Sequence, residues 1–211
     1  MYKLYARPGW GSVLAEAQLA WYGLDYELEE LDDLFASAAA REKLAPVNPL
    51  AQVPTLILPD GQVMTESAAI TLHLADVTGS SDLVPATSEA VRPKFLRWLV
   101  FLVANVYPTF TYMDDPSRFV SVEAARQPFA DSVSAYRERL WAQVEENVGN
   151  PWFLGIRFSA LDIYLATMTR WTPRRAWFAE HRPKLHAIAL DTDVEPRLAA
   201  VWRRNFPNAE S

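Results

Sequence analysis

Cysteine does not occur anywhere among the 211 residues of this chain. Its absence excludes disulfides, thiolate metal ligands and cysteine nucleophiles, so any thiol chemistry has to come from a bound ligand. Histidine is also scarce: the chain has only 3 histidines. They form no His-x-x-x-His pair, and no dense cluster of Asp and Glu lies beside them in the sequence. We therefore predict that the protein holds no metal ion.

An excess of positive charge and long apolar runs are absent as well. Lys and Arg together number 20 against 26 for Asp and Glu, which gives a formal net charge of -6. This balance favours neither a nucleic acid nor an anionic membrane as a partner. The most apolar segment, residues 99–106, is far shorter than the roughly 20 residues that cross a bilayer, and residues 1–5 do not read as a signal peptide. We expect a soluble, cytoplasmic protein.

The first 78 residues alternate strand-like and helix-like segments. Apolar strand patterns at residues 4–6 and 26–31 are each followed by a helical pattern, from residue 12 and over residues 35–44. Two further apolar runs surround Asp60-Gly61, a dipeptide that strongly predicts a hairpin, and a helix starts near residues 65–67. The order βαβα then ββα predicts a small mixed sheet with helices on both faces.

The rest of the chain shows helical periodicity and no strand-like alternation. Residues 79–87 contain Gly79-Ser80-Ser81 and are predicted to be a linker, and residues 88–211 to be an all-helical domain whose first helix Ser88 would cap. Ser159 to Asp162 and Thr192 to Glu195 both have the spacing of a capping box at a helix start.

Three short motifs follow one another along this pattern. Residues 48–54 read Asn-Pro-Leu-Ala-Gln-Val-Pro, residues 66–70 read Glu-Ser-Ala-Ala-Ile, and residues 158–163 read Phe-Ser-Ala-Leu-Asp-Ile. In their order and spacing they resemble the Asn-Pro-x-x-x-Val-Pro segment, the Glu-Ser-x-x-Ile helix start and the buried capping box of the glutathione S-transferase family. The resemblance implies an α/β thioredoxin-like N-terminal domain, residues 1–78, followed by the all-α domain.

The resemblance also implies that glutathione is the co-substrate, bound by Gln52, Val53, Glu66 and Ser67. Pro54 would follow a cis peptide bond, which turns the backbone of Val53 toward an extended peptide. Glu66 offers a negative partner for the γ-glutamyl amine, while Ser67 and the helix N-terminal amides offer donors for the carboxylate. Without a ligand, Glu66 and Ser67 are also ordinary helix-start residues, and Pro54 could open a strand in the trans form.

The sequence offers three candidates for the group that activates the glutathione thiol. We favour Ser12 as the catalytic residue, because it stands where the first helix begins and its hydroxyl and nearby amides could face a thiolate. Ser12 as a helix cap is an alternative. Tyr5 is the second candidate, although side chains alternate along a strand and its position would turn it away from the site. The backbone amides of residues 10–12 are the third.

The resemblance implies transfer of glutathione to a small apolar electrophile and assembly as a homodimer. For the acceptor pocket we select aromatic residues of the first long C-terminal helix and one from the facing loop: Phe101, Tyr107, Phe110, Tyr112 and Trp10. An aromatic stripe of this kind also occurs as plain core. A non-catalytic binding or interaction protein of this fold is the alternative function, because residues 8–12 match no single class's activating residue.

Overall fold

The computed structural model describes residues 1–207 and divides the chain into two units. The first unit comprises residues 1–86 and the segment from residue 191 onward, and the second comprises residues 87–190.

The first unit is built on a four-stranded sheet in the order β2-β1-β3-β4. Its strands are β1 (Tyr2–Ala6), β2 (Tyr26–Glu30), β3 (Thr55–Ile57) and β4 (Val63–Met64). β1 runs parallel to β2 and antiparallel to β3, and β3 and β4 form the hairpin predicted around Asp60-Gly61. Helices α1 (Ser12–Trp21), α2 (Ala38–Leu44) and α3 (Ser67–Thr78) complete the predicted order.

The two faces of β1 are buried in different clusters because side chains alternate along a strand. Leu4 and Ala6 pack with α1 and α3 residues such as Leu19 and Leu74. Tyr5 points to the other face, where it packs with a cluster that includes Leu44 of α2, Trp10 and Val53. Each helix therefore covers a defined face of the sheet.

The boundaries of the first unit differ from the expected linker at 79–87 and helical domain at 88–211. Residues 79–86 belong to the first unit, where Leu83 and Val84 are buried. The C-terminal segment from residue 191 also belongs there, because Arg204 and Asn205 bond to Glu16 of α1. The last four residues of the expected helical domain, 208–211, lie outside the described residues.

The second unit is helical. It contains α4 (Arg92–Phe101), a π-helical turn (Leu102–Val106), α5 (Tyr107–Asp114), a short 3₁₀ helix (Pro116–Arg118), α6 (Glu123–Asn147), α7 (Ala160–Met168) and α8 (Arg175–His181). α9 (Pro183–Asp193) ends beyond residue 190, and a 3₁₀ turn (Pro196–Leu198) and α10 (Ala199–Asn205) follow in the first unit.

Local chemistry explains several of these boundaries. The predicted capping box at α7 is present, with Ser159 and Asp162 bonding reciprocally. The second predicted box is wrong, because Thr192 lies inside α9 and Glu195 caps only the following 3₁₀ turn. α4 begins at Arg92 rather than beside Ser88. Since Pro108 lacks an N–H, the helix cannot make the usual bond there, and the π-helical turn precedes it.

Candidate functional site

The sheet register brings four loop segments to one edge of the first unit. Tyr5 pairs with Thr55, so the end of β1 lies beside the start of β3. Leu56 pairs with Met64, and counting along this antiparallel register puts Pro54 and Glu66 at the same end of the hairpin. β2 is parallel to β1 and ends at this edge too. The predicted residues of the first domain therefore converge although they are far apart in sequence.

The segment before β3 is held by Asn48, whose amide nitrogen donates to the Gln52 carbonyl and to the Thr55 hydroxyl, both at 3.0 Å. Asn48 is buried, whereas Gln52 itself is exposed. The Val53–Pro54 bond is cis. Neither the N–H nor the C=O of Val53 has a hydrogen-bond partner within residues 1–207, so this backbone is left available to pair with a ligand.

Glu66 and Ser67 stand at the start of α3. Glu66 is exposed and has a φ of 63°, an uncommon backbone conformation for a residue other than glycine. Ser67 is buried as the first helical residue, and its carbonyl accepts the Thr71 hydroxyl at 2.9 Å. Gln18 of α1 donates to the same hydroxyl at 2.9 Å, which fixes the position of α3. The first N–H groups of a helix have no acceptor within the helix, so this end of α3 suits an anion.

Ser12 is not placed as the catalytic hypothesis requires. Its side chain is fully buried, and its hydroxyl accepts the Arg7 N–H at 3.0 Å and donates to the Arg7 carbonyl at 3.1 Å. These two bonds close the turn between β1 and α1. The helix cap is Gly11, so Ser12 does not fill the capping role either. Because the hydroxyl is enclosed, the expectation that it faces a thiolate is corrected.

Backbone amides remain at this position. The N–H groups of Val13 and Leu14 bond to the carbonyls of Trp10 and Gly11. By contrast, the N–H groups of Gly11 and Ser12 have no acceptor in the described part of the chain. These two donors lie at the positive end of the α1 dipole, where negative charge is stabilised.

Tyr5 lies on the face of the sheet that carries Val53 and Trp10. The expectation that alternation turns its side chain away from this region is therefore wrong. The reason is that the Val53 segment and α2 cover the face opposite to α1 and α3. The ring centroids of Trp10 and Phe35 lie 5.0 Å apart. The Cζ atom of Arg7 lies over the Trp10 ring, 5.7 Å from its centroid.

A polar network that the sequence analysis missed anchors the loop after β1. The Gly9 N–H donates to Asn205 Oδ1 at 3.2 Å, and Asn205 Nδ2 donates to the buried Glu16 at 2.9 Å. Arg204 bonds to Glu16 and, at 2.9 Å, to Glu30. Burial alone would lower the pKa of Arg204, but these two carboxylates raise it above its ordinary value. No local pattern could have indicated contacts across 196 positions.

Comparison with known proteins gives this arrangement a context. Residues 16–77 match the family described as "Glutathione S-transferase, N-terminal domain". The chain is 38% identical over 206 residues to the uncharacterized GST-like protein YncG of Escherichia coli K12, and this match covers 97% of the chain and 98% of that protein. The chain belongs to the glutathione S-transferase family.

Two solved structures show the same fold. A glutathione transferase homolog from Sulfitobacter with bound glutathione is 24% identical, has a TM-score of 0.84 and covers 95% of this chain and 96% of its own. A sphingomonad glutathione S-transferase complexed with glutathione is 29% identical, with a TM-score of 0.70 and coverage of 95% and 97%. The predicted thioredoxin-like domain with a helical remainder is thus confirmed.

The predicted acceptor residues of this glutathione S-transferase family member are divided between the two units. Trp10 belongs to the first unit and the other four to the second. Phe101 packs against Trp98, with ring centroids 5.0 Å apart, and Tyr112 packs at 4.9 Å against Phe119. Phe101 and Tyr112 thus each have an aromatic partner outside the predicted set. The acceptor pocket itself stays a prediction.

Tyr107 and Phe110 do lie together, and the sequence analysis missed their common partner. Trp171 follows α7 and its ring lies 5.3 Å from that of Tyr107 and 5.0 Å from that of Phe110. The three rings meet edge to face, a favourable geometry for aromatic pairs. We call Tyr107, Phe110 and Trp171 the aromatic trio.

Within residues 1–207 the family member has neither a cluster of metal ligands nor a helix that could span a bilayer. No group of three or more His, Asp or Glu side chains is placed to hold a metal ion. No helix in this range combines the length and the apolar character that a bilayer crossing demands.

Proposed function

We propose that the protein binds glutathione at the edge of its sheet and catalyses attack of the glutathione sulfur on a small apolar electrophile, so that the whole glutathionyl group is transferred. The observation that carries this proposal is the set of unpaired backbone groups at one edge: the N–H and C=O of Val53 and the N–H groups of Gly11 and Ser12. Buried or half-buried backbone groups are normally paired, so their availability together indicates a peptide-like, partly anionic ligand.

Glutathione has hydrogen-bonding and charged groups that can pair with these backbone groups and with the side chains beside them. Its central cysteine residue is an extended peptide unit that can pair with Val53 beside Pro54 and Gln52. Its γ-glutamyl amine is a partner for the exposed Glu66, and its carboxylate for Ser67 and the first-turn N–H groups of α3. The likeness to a sphingomonad enzyme solved with glutathione supports the same ligand.

We assign thiol activation to the N–H groups of Gly11 and Ser12 and the N-terminus of α1. A free thiol has a pKa of about 8.5, so only a small fraction is thiolate at neutral pH. Donors and a helix dipole that face the sulfur stabilise the anion and lower this pKa. Tyr5 is the side-chain alternative, because it lies on the same face as Val53.

Calorimetry with glutathione tests the binding site. Replacing Glu66 with Gln should weaken binding by about 1–3 kcal/mol, since a charge-assisted hydrogen bond is lost. The matched control is Glu27→Gln. Glu27 lies on β2, which is the outer strand on the side of the sheet away from β4 and α3. Equal affinity of the wild type and the Glu66 variant would show that the amine binds elsewhere.

Titration of bound glutathione by its thiolate absorbance tests the activation. Tyr5→Phe should leave the thiol pKa unchanged and still well below that of free glutathione. If Tyr5→Phe raises the thiol pKa by about one unit or more, the tyrosine hydroxyl activates the sulfur and the assignment to the amides fails.

A glutathione-binding protein without turnover is the second candidate function. It is favoured by the enclosure of the Ser12 hydroxyl and by the absence of cysteine, which leave few side chains for thiol activation. Turnover of a generic aryl halide with glutathione separates the two functions. Product formation at the uncatalysed rate, together with retained glutathione binding, would favour the non-catalytic role.

We further propose a homodimer, on the family's usual assembly, and a location in the cytoplasm, where glutathione is kept reduced. Light scattering at micromolar concentration should give twice the 23.9 kDa mass of one chain. A monomeric mass would contradict the dimer, and recovery with a non-cytoplasmic fraction would contradict the location.

A further inference from the structure

Arg137 is an unusual residue of the helical unit. It lies in α6, is only 2% exposed, and its Nε and Nη1 atoms have no hydrogen-bond partner within the described residues. A buried donor without a partner is costly, and a buried unpaired charge is costlier still. Native proteins rarely keep such a group unless a ligand, ion or water completes it.

The acidic residues that act on the charge of Arg137 do not form ion pairs with it within the described residues. The carboxylates of Asp114 and Glu138 attract its charge, but no ion pair to Arg137 forms in the described part of the chain. Burial lowers the pKa of Arg137 from its usual value, while Glu138 and Asp114 oppose that shift. The guanidinium stays protonated in proteins, so the cation lacks a bonded counter-charge.

The aromatic trio adds a second feature to this place. The Arg137 Cζ atom lies 5.5 Å from the ring centroid of Phe110, in the geometry of a cation–π contact. Stacking of this kind occupies a face of the guanidinium and leaves its in-plane N–H groups for other bonds. Tyr107 and Trp171 extend the apolar surface beyond Phe110.

We propose that Arg137 binds the carboxylate of the acceptor substrate while the aromatic body of that substrate packs on the trio. This inference rests on the proposed transferase function and names its acceptor class more narrowly: aryl electrophiles whose apolar ring carries a carboxylate, bound in preference to neutral aryl compounds. A guanidinium matches a carboxylate because two parallel N–H···O bonds form between the planar groups.

Binding can be measured without any turnover. Calorimetry compares 4-chloro-3-nitrobenzoate with its neutral primary amide, in the absence of glutathione. The wild type should bind the carboxylate at least tenfold more tightly than the amide. Arg137→Met should remove this preference, whereas Arg139→Met should keep it, because Arg139 is an exposed arginine of the same helix.

A folding control keeps this test decisive. Circular dichroism establishes that the Arg137→Met variant is folded, and Arg137→Lys provides a second variant that keeps the charge and loses the two-pronged geometry. The lysine variant should show a reduced preference for the carboxylate. Equal binding of acid and amide by the wild type, or an unchanged preference in both Arg137 variants, would overturn the proposal.

Turnover with glutathione then links the site to the reaction. The glutathione sulfur forms a bond to the ring carbon, chloride leaves with the bonding electrons, and the thiol proton passes to solvent. The ratio of kcat/KM for the acid to that for the amide should fall at least tenfold in Arg137→Met and persist in Arg139→Met. If the wild type turns over neither compound, the proposed transferase function is refuted. The calorimetric comparison of acid and amide then still tests whether Arg137 binds a carboxylate.

Discussion

Replacement of Asp162 should destabilise the helical unit severely. The carboxylate is completely buried and accepts the N–H of Phe153 at 2.7 Å, the N–H of Ser159 at 2.8 Å and the Ser159 hydroxyl at 3.1 Å. In Asp162→Ala the two backbone N–H groups lose their acceptor in a buried environment. At about 1–3 kcal/mol for each, and with a small cavity added, the free energy of unfolding should fall by about 3–5 kcal/mol.

The same site makes stability depend on pH. Burial raises the pKa of Asp162 to about 7, although the bonds from Phe153 and Ser159 oppose the shift. The folded-state pKa exceeds the ordinary value of 3.8, so the favourable contribution is fully present below that value and is lost as pH rises through about 7. From pH 5 to 8 the wild type should therefore lose stability relative to Asp162→Asn, which does not titrate.

Urea unfolding followed by tryptophan fluorescence measures both effects. Asp131→Ala is the matched control because Asp131 is an exposed residue of α6, and it should change the unfolding free energy by no more than about 0.5 kcal/mol. A loss below about 1 kcal/mol in Asp162→Ala would refute the assignment of two buried N–H groups to this carboxylate. A pH dependence equal to that of the Asn variant would refute the titration.

Three other changes test the edge of the sheet. Asn48→Ala removes the donor to the Gln52 carbonyl, and it should lower stability by about 1–2 kcal/mol and weaken glutathione binding in calorimetry; retained affinity would contradict its positioning role. Asn205→Leu removes the Asn205 bonds to the Gly9 N–H and to Glu16, and it should raise the KM for glutathione while the circular dichroism spectrum stays unchanged; an unaltered KM would show that α10 does not position the loop. Gly9→Ala places a side chain at a φ of 77° and should cost about 1 kcal/mol in urea unfolding, and no loss would show that the turn relaxes.

Much of the first unit was predictable because its signals are local. Asp60-Gly61 predicts the hairpin, whose turn closes by the Gly61 N–H to the Leu58 carbonyl at 2.9 Å, with a φ of 87° at Gly61. A short apolar stretch before Pro8-Gly9 marks β1 and the helical spacing of apolar residues marks α1, since both signals belong to one segment alone. The capping box of α7 is equally local, because its two side chains lie three positions apart.

The details of the candidate site were decided by the tertiary structure. The sequence predicted Glu66, Ser67 and Val53 as neighbours from motif order, but not the burial of the Ser12 hydroxyl against Arg7. A serine at a helix start has the same local pattern whether its hydroxyl faces solvent or closes a turn. The position of the surrounding backbone makes that choice.

The partners of the first unit's C-terminal segment could not be predicted from the sequence either. The sequence predicts that this part of the chain is helical, and the structure has a helix at Ala199–Asn205. That prediction contains no information on the partner of that helix, because the bonds of Arg204 and Asn205 to Glu16 join residues more than 180 positions apart. Periodicity determines which face of a segment is apolar. Only the folded chain determines what that face, and the charges beside it, will meet.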